Sequence, residues 1–215
     1  MTEFKSQINN LLGDTLISSS FLAYIGFYDA FYRKYLREKG KSILGENNII
    51  YIHDLDEVEW LTKPNDKLDR QKCSLPNDNI CTENAIILQR FNRYTLIIDP
   101  TGQVTEFIKL YYYSKKLNKT SFIDNSFLKS LESVLRFGCP ILVQDVEKID
   151  PIMNSLQDKE IHRQGGRNLI RIRDKEIDFS FTFNMFMVNR DSSCHFTPDL
   201  CSRVTFLNFT ITPSS

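Results

Sequence analysis

The chain has 215 residues, of which 41% are hydrophobic and 12% aromatic, enough for the core of one domain with or without an appendage. Lys plus Arg and Asp plus Glu both number 27, so the formal net charge is zero. This balance argues against an electrostatic nucleic-acid binder, which needs a basic face. It also gives little repulsion between molecules, which suits a piece that neighbours normally cover.

The five cysteines are an odd number without paired CxxC spacing, which indicates reduced cytosolic thiols rather than a disulfide scaffold. Cys194, His195 and Cys201 lack a fourth ligand at a suitable spacing, so we expect no metal site. The N-terminus shows no basic-then-apolar signal, and no apolar run reaches the roughly 18 residues of a membrane span. We therefore expect no membrane partner.

Residues 1–40 carry apolar residues at helical spacing, which predicts N-terminal helices. Asp14 is a possible cap of a second helical segment, and Gly26 interrupts the pattern. Gly40 is the predicted stop signal. The aromatic residues of this region are interpreted as core and interface packing.

Residues 41–81 predict an irregular, loop-rich segment with an acidic stretch. Ile49–Ile52 could form a short strand or a helix turn, and Trp60 is predicted to anchor the loop to the body. Thr82 is a possible cap of the short helix that follows. Turn-forming residues punctuate the segment: Pro64, Asn65, Pro76 and Asn77.

From residue 95 onward, apolar strands alternate with helices. The alternation predicts an α/β fold with a parallel sheet covered on both faces. The segment 168–179 alternates apolar and charged residues and predicts a hairpin with one solvated face. The predicted strands are 95–98, 120–123, 141–143, 183–188 and 205–211, and the predicted helices are 103–113, 126–137, 150–163 and a short one opened by Thr197 and Pro198.

Polar residues follow three of these strands, namely Asp99, Asp145 and Asn189. Ligands of open α/β sheets bind beyond the carboxyl ends of the strands, so we expect the three residues to lie close together. The stretch 94–109 has the strand–turn–helix layout of a phosphate-binding loop. It lacks GxxxxGK[ST], and no Lys or Arg stands between Asp99 and Ile108.

Long stretches of the chain resemble the fifth AAA+ module of a dynein heavy chain, among them LLGDTLISSSFLAYIGFYDAFYRKYL, LIIDPTGQVTEFIK, LESVLRFGCPILVQDVEKIDP and TPDLCSRVTFLNFTITPS. The resemblance spans almost the whole sequence. It implies a three-layer P-loop NTPase (AAA+) large subdomain with a five-stranded parallel sheet of order 5-1-4-3-2 and an inserted β-hairpin. Residues 1–40 would be helices following the stalk, 41–81 an irregular segment, and 82–215 a core excerpted without its small lid subdomain.

The same resemblance assigns positions to the candidate site residues. Asp145 stands at Walker B, Asn189 at sensor 1, and Arg203 at the arginine-finger position toward the neighbouring module. Simpler roles stay open: Asp145 as a turn cap, Asn189 as a turn former, and Arg203 in a salt bridge between modules. The Walker A position is taken by Asp99, Pro100, Thr101, Gly102 and Gln103.

A working phosphate site needs backbone N–H groups, a Lys and a catalytic carboxylate. Here Pro100 removes an N–H, Asp99 would repel phosphate, and Val146 stands where AAA+ enzymes place Glu. We therefore predict a catalytically silent module with no cofactor of its own, beside neighbours that hold ATP or ADP and Mg²⁺. The alternative is an ATP-binding module with weak or no hydrolysis, for which Arg93 would have to replace the Lys.

A third hypothesis is a free-standing binding domain with a groove under Trp60. The resemblance favours a relay of conformational change between neighbouring modules and the stalk base, with the microtubule contacted indirectly through the stalk. It implies a cytoplasmic, cytoskeletal location and no nucleic-acid partner. The sequence alone leaves open whether the dynein is of cytoplasmic or ciliary type.

Overall fold

The computed structural model describes residues 2–62, 78–90 and 92–210. The described residues up to 90 form one compact unit, and residues 92–210 form another. The predicted turn residues Pro64, Asn65, Pro76 and Asn77, and the end of the last predicted strand at Ile211, lie outside the described residues.

The N-terminal unit is helical. Asp29 caps its second helix by accepting a hydrogen bond from the Tyr32 N–H at 2.9 Å. A 3₁₀ turn at Ile25–Phe27 separates the first two helices, as the interruption at Gly26 predicts. The helices are α1 (Thr2–Tyr24), α2 (Ala30–Glu46), α3 (Glu57–Leu61) and α4 (Asn79–Arg90).

Two predicted boundaries in this unit are wrong. Helix α2 continues past Gly40 to Glu46, because Gly40 does not take the positive φ that ends a helix. Helix α4 begins at Asn79 rather than at Thr82, because Asp78 accepts the Cys81 N–H at 2.6 Å and caps the helix earlier. The first residues of the predicted irregular segment are therefore helical.

Asp14 is not a cap but a buried contact in the middle of α1. Its carboxylate accepts the Ile52 N–H at 2.8 Å, which binds the extended segment 49–52 across the helix. Gly13 makes this crossing possible, because a Cβ at this position would lie 2.3 Å from the Ile50 carbonyl oxygen. Ile49–Ile52 is thus neither strand nor helix turn.

Arg33 is the largest fully buried side chain of the unit. Its guanidinium donates to Glu83 and to Asn84 at 2.7 Å each, so the second and fourth helices are joined through a charged core. Arg37 adds a 2.6 Å bond to the same Glu83. Trp60, in contrast, is 48% exposed on α3, so it is not a buried anchor. The 61–81 loop of the expected groove lies mostly outside the described residues.

The second unit is an α/β unit with a five-stranded, fully parallel sheet, as the alternation of elements predicts. Its strands are β1 (Thr95–Ile98), β2 (Asn118–Ser121), β3 (Ile141–Gln144), β7 (Met185–Asn189) and β8 (Thr205–Asn208), in the spatial order β2-β3-β7-β1-β8. The helices are α5 (Gln103–Tyr111), α6 (Phe127–Phe137), α7 (Asn154–Gln157) and α8 (Pro198–Arg203).

Strands β1, β3 and β7 are buried along their whole length, since they occupy the middle of the sheet. One helix end and one helix start near these strands form at the residues that the sequence predicts. Gly138 ends α6 at φ 69°, and Thr197 caps α8 with Pro198 at the first helical position. The predicted end of the helix at residue 137 and the predicted start at Thr197 and Pro198 are confirmed.

The predicted helix over 150–163 is wrong beyond Gln157. A 3₁₀ turn at Pro151–Met153 leads into the four-residue helix α7, and Lys159 then turns the chain at φ 53°. The predicted hairpin gains a third strand as a result. Strands β4 (Ile161–Gln164), β5 (Arg167–Ile172) and β6 (Lys175–Asp178) form an antiparallel sheet, with Gly165 and Gly166 at positive φ in the first turn.

Lys159 also holds the amino end of β1. Its ammonium donates to the side-chain oxygen of Asn92 at 2.7 Å and to the Asn92 carbonyl, and it lies 5.1 Å from the centre of the Tyr94 ring. Burial lowers the pKa of Lys159 and raises that of Tyr94.

Among the described helices, none is long and apolar enough to cross a membrane.

Candidate functional site

The site begins at Asp99, directly after β1 on the carboxyl edge of the sheet. The Asp99 N–H donates to the Asn189 carbonyl at 2.9 Å, which extends the pairing of β1 with β7. The side chain is fully buried. One carboxylate oxygen accepts both the N–H and the hydroxyl of Thr105 at 3.0 Å each, and the other accepts the Thr101 hydroxyl at 3.2 Å.

Thr105 is the third residue of α5, so its N–H is one of the free donors at the helix start. Gly102, at φ 78°, has no side chain with which to cap the helix. Asp99 caps it instead and brings a negative charge to the positive end of the helix dipole. A phosphate at this helix start would compete with Asp99 for the Thr105 N–H and would face its carboxylate charge.

Asp99 and Asn189 are joined through the backbone; Asp99 is buried, whereas Asp145 is exposed. Asp145 takes a φ of 55° after β3, and its exposed carboxylate lies 3.9 Å from the Arg190 guanidinium. The next residue, Val146, is fully buried and donates its N–H to the Val188 carbonyl at 3.1 Å. Asp99 and Asn189 are thus neighbours at this edge, and the expected closeness of Asp145 to both stays a prediction.

The Asn189 amide is buried and shapes the turn after β7. Its oxygen accepts the Asp191 N–H at 2.8 Å, which matches the turn-former interpretation. Its amide nitrogen has no hydrogen-bond partner within the described part of the chain. Asp191 in turn accepts the Ser193 hydroxyl and N–H, and these bonds lower the pKa of the Asp191 carboxyl.

Arg203, at the end of α8, is held by two carboxylates of its own unit. It donates to Asp199 at 2.9 Å and lies 3.6 Å from Asp158, and the side chain is 20% exposed. Arg203 thus forms ion pairs within its own unit, and a salt bridge to a neighbouring module stays a prediction. One terminal nitrogen of the guanidinium stays buried without a partner among the described residues.

A cleft of about 690 Å³ lies beside these groups. Its walls come from the segment after β3, from α7 and from the loop that leads into α8. Glu147, which the sequence places one residue too late for a Walker B glutamate, lines this cleft instead of facing Asp99. Within the described ranges, no group of three or more His, Cys, Asp and Glu side chains is arranged to hold a metal ion.

Arg93 cannot serve as a substitute for the missing Lys. It is exposed and precedes β1, whereas the 99–103 loop follows that strand. At about 3.3 Å per residue, the six steps from Arg93 to Asp99 span about 20 Å, beyond the reach of one side chain.

Sequence reasoning missed Thr105 and Asp158. A threonine at the third position of a helix whose first cap is glycine is a signal that could have pointed to Asp99 as a capping residue. The ion pair of Arg203 with Asp158 depends on how the chain turns after α7, and no local pattern carries that information.

A parallel five-stranded sheet, with the loop after its first strand at the carboxyl edge, is the open α/β architecture that nucleotide-binding folds share, AAA-type ATPase modules among them. The model of the family described as the ATP-binding dynein motor region matches residues 69–215. This match covers more than half of the chain. The chain belongs to the dynein heavy chain family.

Named relatives agree with this assignment. The cytoplasmic dynein heavy chain of Dictyostelium discoideum is 53% identical over 212 residues, which are 99% of this chain and 4% of that protein. The cytoplasmic dynein heavy chain of Paramecium tetraurelia is 54% identical over 213 residues, 99% of this chain and 5% of the relative. The human dynein axonemal heavy chain 1 is 31% identical over 208 residues, 96% of this chain and 5% of the relative. The chain thus spans about a twentieth of these proteins.

Proposed function

We propose that this chain is a catalytically silent AAA+ module, the fifth of a dynein motor ring, which relays conformational change between neighbouring ATPase modules and the stalk. The observation that carries the proposal is that the buried Asp99 carboxylate accepts hydrogen bonds from the Thr105 N–H and from the Thr105 hydroxyl. A phosphate at this helix would meet a fixed negative charge instead of free donors and a Lys.

Two further features support the proposal. Val146 is buried where a catalytic Glu would have to face a water molecule, and Asp145 is turned toward Arg190. Loss of the charged groups of phosphoryl transfer typically costs about a thousandfold or more in rate. We therefore propose that the module is not itself an enzyme and needs no cofactor, while ATP or ADP and Mg²⁺ act in neighbouring modules.

In this proposal the α/β unit is the large subdomain of an AAA+ core. The sheet would correspond to the order 5-1-4-3-2, and the antiparallel sheet of β4, β5 and β6 to an inserted hairpin with an added strand. The partners would be adjoining modules of the same heavy chain and the stalk base, with the microtubule contacted through the stalk. The higher identity to relatives named cytoplasmic favours a cytoplasmic, cytoskeletal motor over an axonemal one.

Nucleotide labelling of the complete heavy-chain motor tests whether this module binds nucleotide. A photoreactive ATP analogue with Mg²⁺ is expected to label peptides of other modules and to leave the peptide containing residues 94–111 unlabelled. If that peptide is labelled at micromolar analogue and Asp145→Ala abolishes the labelling, the proposal is refuted. An ATP-binding module with weak hydrolysis would then be the better description.

The role of Arg203 toward a neighbour has its own test. If Arg203 reaches phosphate in the adjoining module, Arg203→Ala lowers turnover at that site by about a thousandfold. If it serves only Asp158 and Asp199, the variant loses stability and keeps its turnover. Arg163→Ala, which removes an exposed arginine of β4, is the matched control and leaves both quantities unchanged.

A further inference from the structure

An exposed set of aromatic side chains marks the N-terminal unit. It consists of residues at the end of α1, in the turn and on one side of α2, and their side chains are 40–74% exposed. Patches of this kind on a protein surface mark interaction sites, and Tyr is enriched where binding energy concentrates. We name it the aromatic face; its members are Tyr24, Phe27, Tyr28, Phe31, Tyr32 and Tyr35.

Four rings of the aromatic face, those of Phe27, Tyr28, Phe31 and Tyr32, contact one another. Phe27 lies edge-on to Tyr28 with ring centres 5.8 Å apart, and Phe31 lies edge-on to Tyr32 at 5.5 Å. Tyr28 and Tyr32 connect the two pairs at 6.1 Å. These four rings therefore form one connected group, and Tyr24 on α1 and Tyr35 on α2 are also exposed.

Arg33 fixes this surface from the buried side of α2. Its Nε donates to the Tyr28 carbonyl at 2.7 Å, and a terminal nitrogen donates to the Gly26 carbonyl at 3.2 Å. The same guanidinium is tied to Glu83 on α4. The turn that presents Phe27 and Tyr28 is thus held before any partner binds, which lowers the ordering cost of association.

We propose that the aromatic face is the docking surface for the apolar side of a helix from another segment of the same heavy chain. Relatives of this chain are about twenty times longer, so most of the polypeptide that could cover the face lies outside these 215 residues. Residues spaced three and four apart on α2, such as Phe31, Tyr32 and Tyr35, form a ridge that packs into the groove of another helix. Lys34, which lies 4.0 Å from Glu38, and the exposed Lys39 are cations of α2 that fit carboxylates on the edge of that helix.

Oxidative footprinting of the complete heavy-chain motor tests whether the face is covered. Relative to the urea-unfolded motor, Phe31 and Tyr35 are expected to react at least about fivefold more slowly, because interface aromatics lose most of their accessible area. Phe21, which is fully buried in the unit, is the internal control for folding. Reaction of Phe31 and Tyr35 within about twofold of the unfolded rate, with Phe21 protected, overturns the proposal.

Photocrosslinking identifies the occupant. Tyr35→p-benzoylphenylalanine keeps an aromatic side chain on α2, so the variant retains the surface. A crosslink to a helical peptide of the same heavy chain is expected; a crosslink only between two heavy chains, or none, overturns the proposal. Neither footprinting nor crosslinking depends on nucleotide at residues 99–103. The docking proposal can therefore be refuted without refuting the proposal that the module is catalytically silent, and the reverse also holds.

Discussion

The carboxylate of Asp99 and the backbone N–H of Thr105, six residues apart in sequence, form a buried 3.0 Å hydrogen bond at the start of α5. The same oxygen accepts the Thr105 hydroxyl. The chain thereby satisfies with its own side chain one of the backbone donors that phosphate-binding folds leave free at a helix start. This one contact links the stability of the sheet edge to the proposed loss of nucleotide chemistry.

Asp99→Ala is expected to destabilise the chain by about 2–3 kcal/mol, because it leaves two buried donors of Thr105 without a charged acceptor. Urea unfolding of the purified chain measures the change. Glu160→Ala removes an exposed carboxylate of the same unit and should stay within about 0.5 kcal/mol of the parent chain. Equal stabilities of the two variants would contradict the capping role of Asp99.

Arg33→Ala should cost about 3–5 kcal/mol, since it leaves the Glu83 carboxylate with one fewer partner in a buried site. Burial lowers the pKa of Arg33, while the hydrogen bond to Glu83 acts in the opposite direction. Lys34→Ala, on the exposed side of the same helix, is the control and should have little effect. Thermal unfolding followed by helical circular dichroism would separate the two variants.

The two mid-helix glycines of the N-terminal unit form a matched pair. Gly13→Ala places a Cβ against the Ile50 carbonyl and should destabilise the chain by about 1–3 kcal/mol. Gly40→Ala meets no atom within 4 Å and should stabilise α2 by about 0.5–1 kcal/mol. Opposite signs in denaturant titrations are the expected result, and a Gly13→Ala chain as stable as the parent would refute the close crossing.

Alkaline pH should lower the free energy of unfolding because Tyr112 is buried. Burial raises the pKa of Tyr112 to about 12, above its value of about 10 in the unfolded chain. The folded state therefore keeps this phenol protonated, and the associated stability is complete below about pH 10 and is lost as the pH rises toward 12. Tyr112→Phe should lose less free energy of unfolding between about pH 9.5 and 11.5 than the parent chain, by about 2 kcal/mol.

Tyr113→Phe is the control for this pH dependence. Tyr113 is the exposed neighbour of Tyr112, so its replacement should leave the alkaline loss of stability as in the parent chain. An unchanged slope in Tyr112→Phe would show that other groups, such as the buried Cys81 thiol whose pKa is raised to about 12 by burial, dominate the loss.

Elements whose signal is local could be predicted from the sequence. The run Thr95–Ile98 forms β1 with the predicted bounds, because an apolar run bounded by a turn specifies a buried strand. Thr197 and Pro198 open α8 because cap and first-turn chemistry act over four residues. The family resemblance, carried by long motifs, agrees with the comparison to known dynein heavy chains.

Features that depend on distant contacts could not be predicted in the same way. Gly40 carries a stop signal, yet α2 continues and buries Leu44, so packing outweighs the local preference. Residues after Gln157 favour helix locally, but pairing with β5 draws Ile161–Gln164 into a strand. For Asp99 the expected repulsion of phosphate stays a prediction, whereas its bond to Thr105 requires knowledge of where the buried side chain lies.

The bond between Asp99 and Thr105 also sets how easily phosphate binding could return. A lysine introduced at the exposed Gln103 would leave the Asp99 carboxylate on the Thr105 N–H, so the negative charge at the helix start would stay in place. Removing Asp99 alone would free the helix donors but destabilise the sheet edge. Any path back to a nucleotide site therefore needs at least two coordinated substitutions, and either one alone is unproductive.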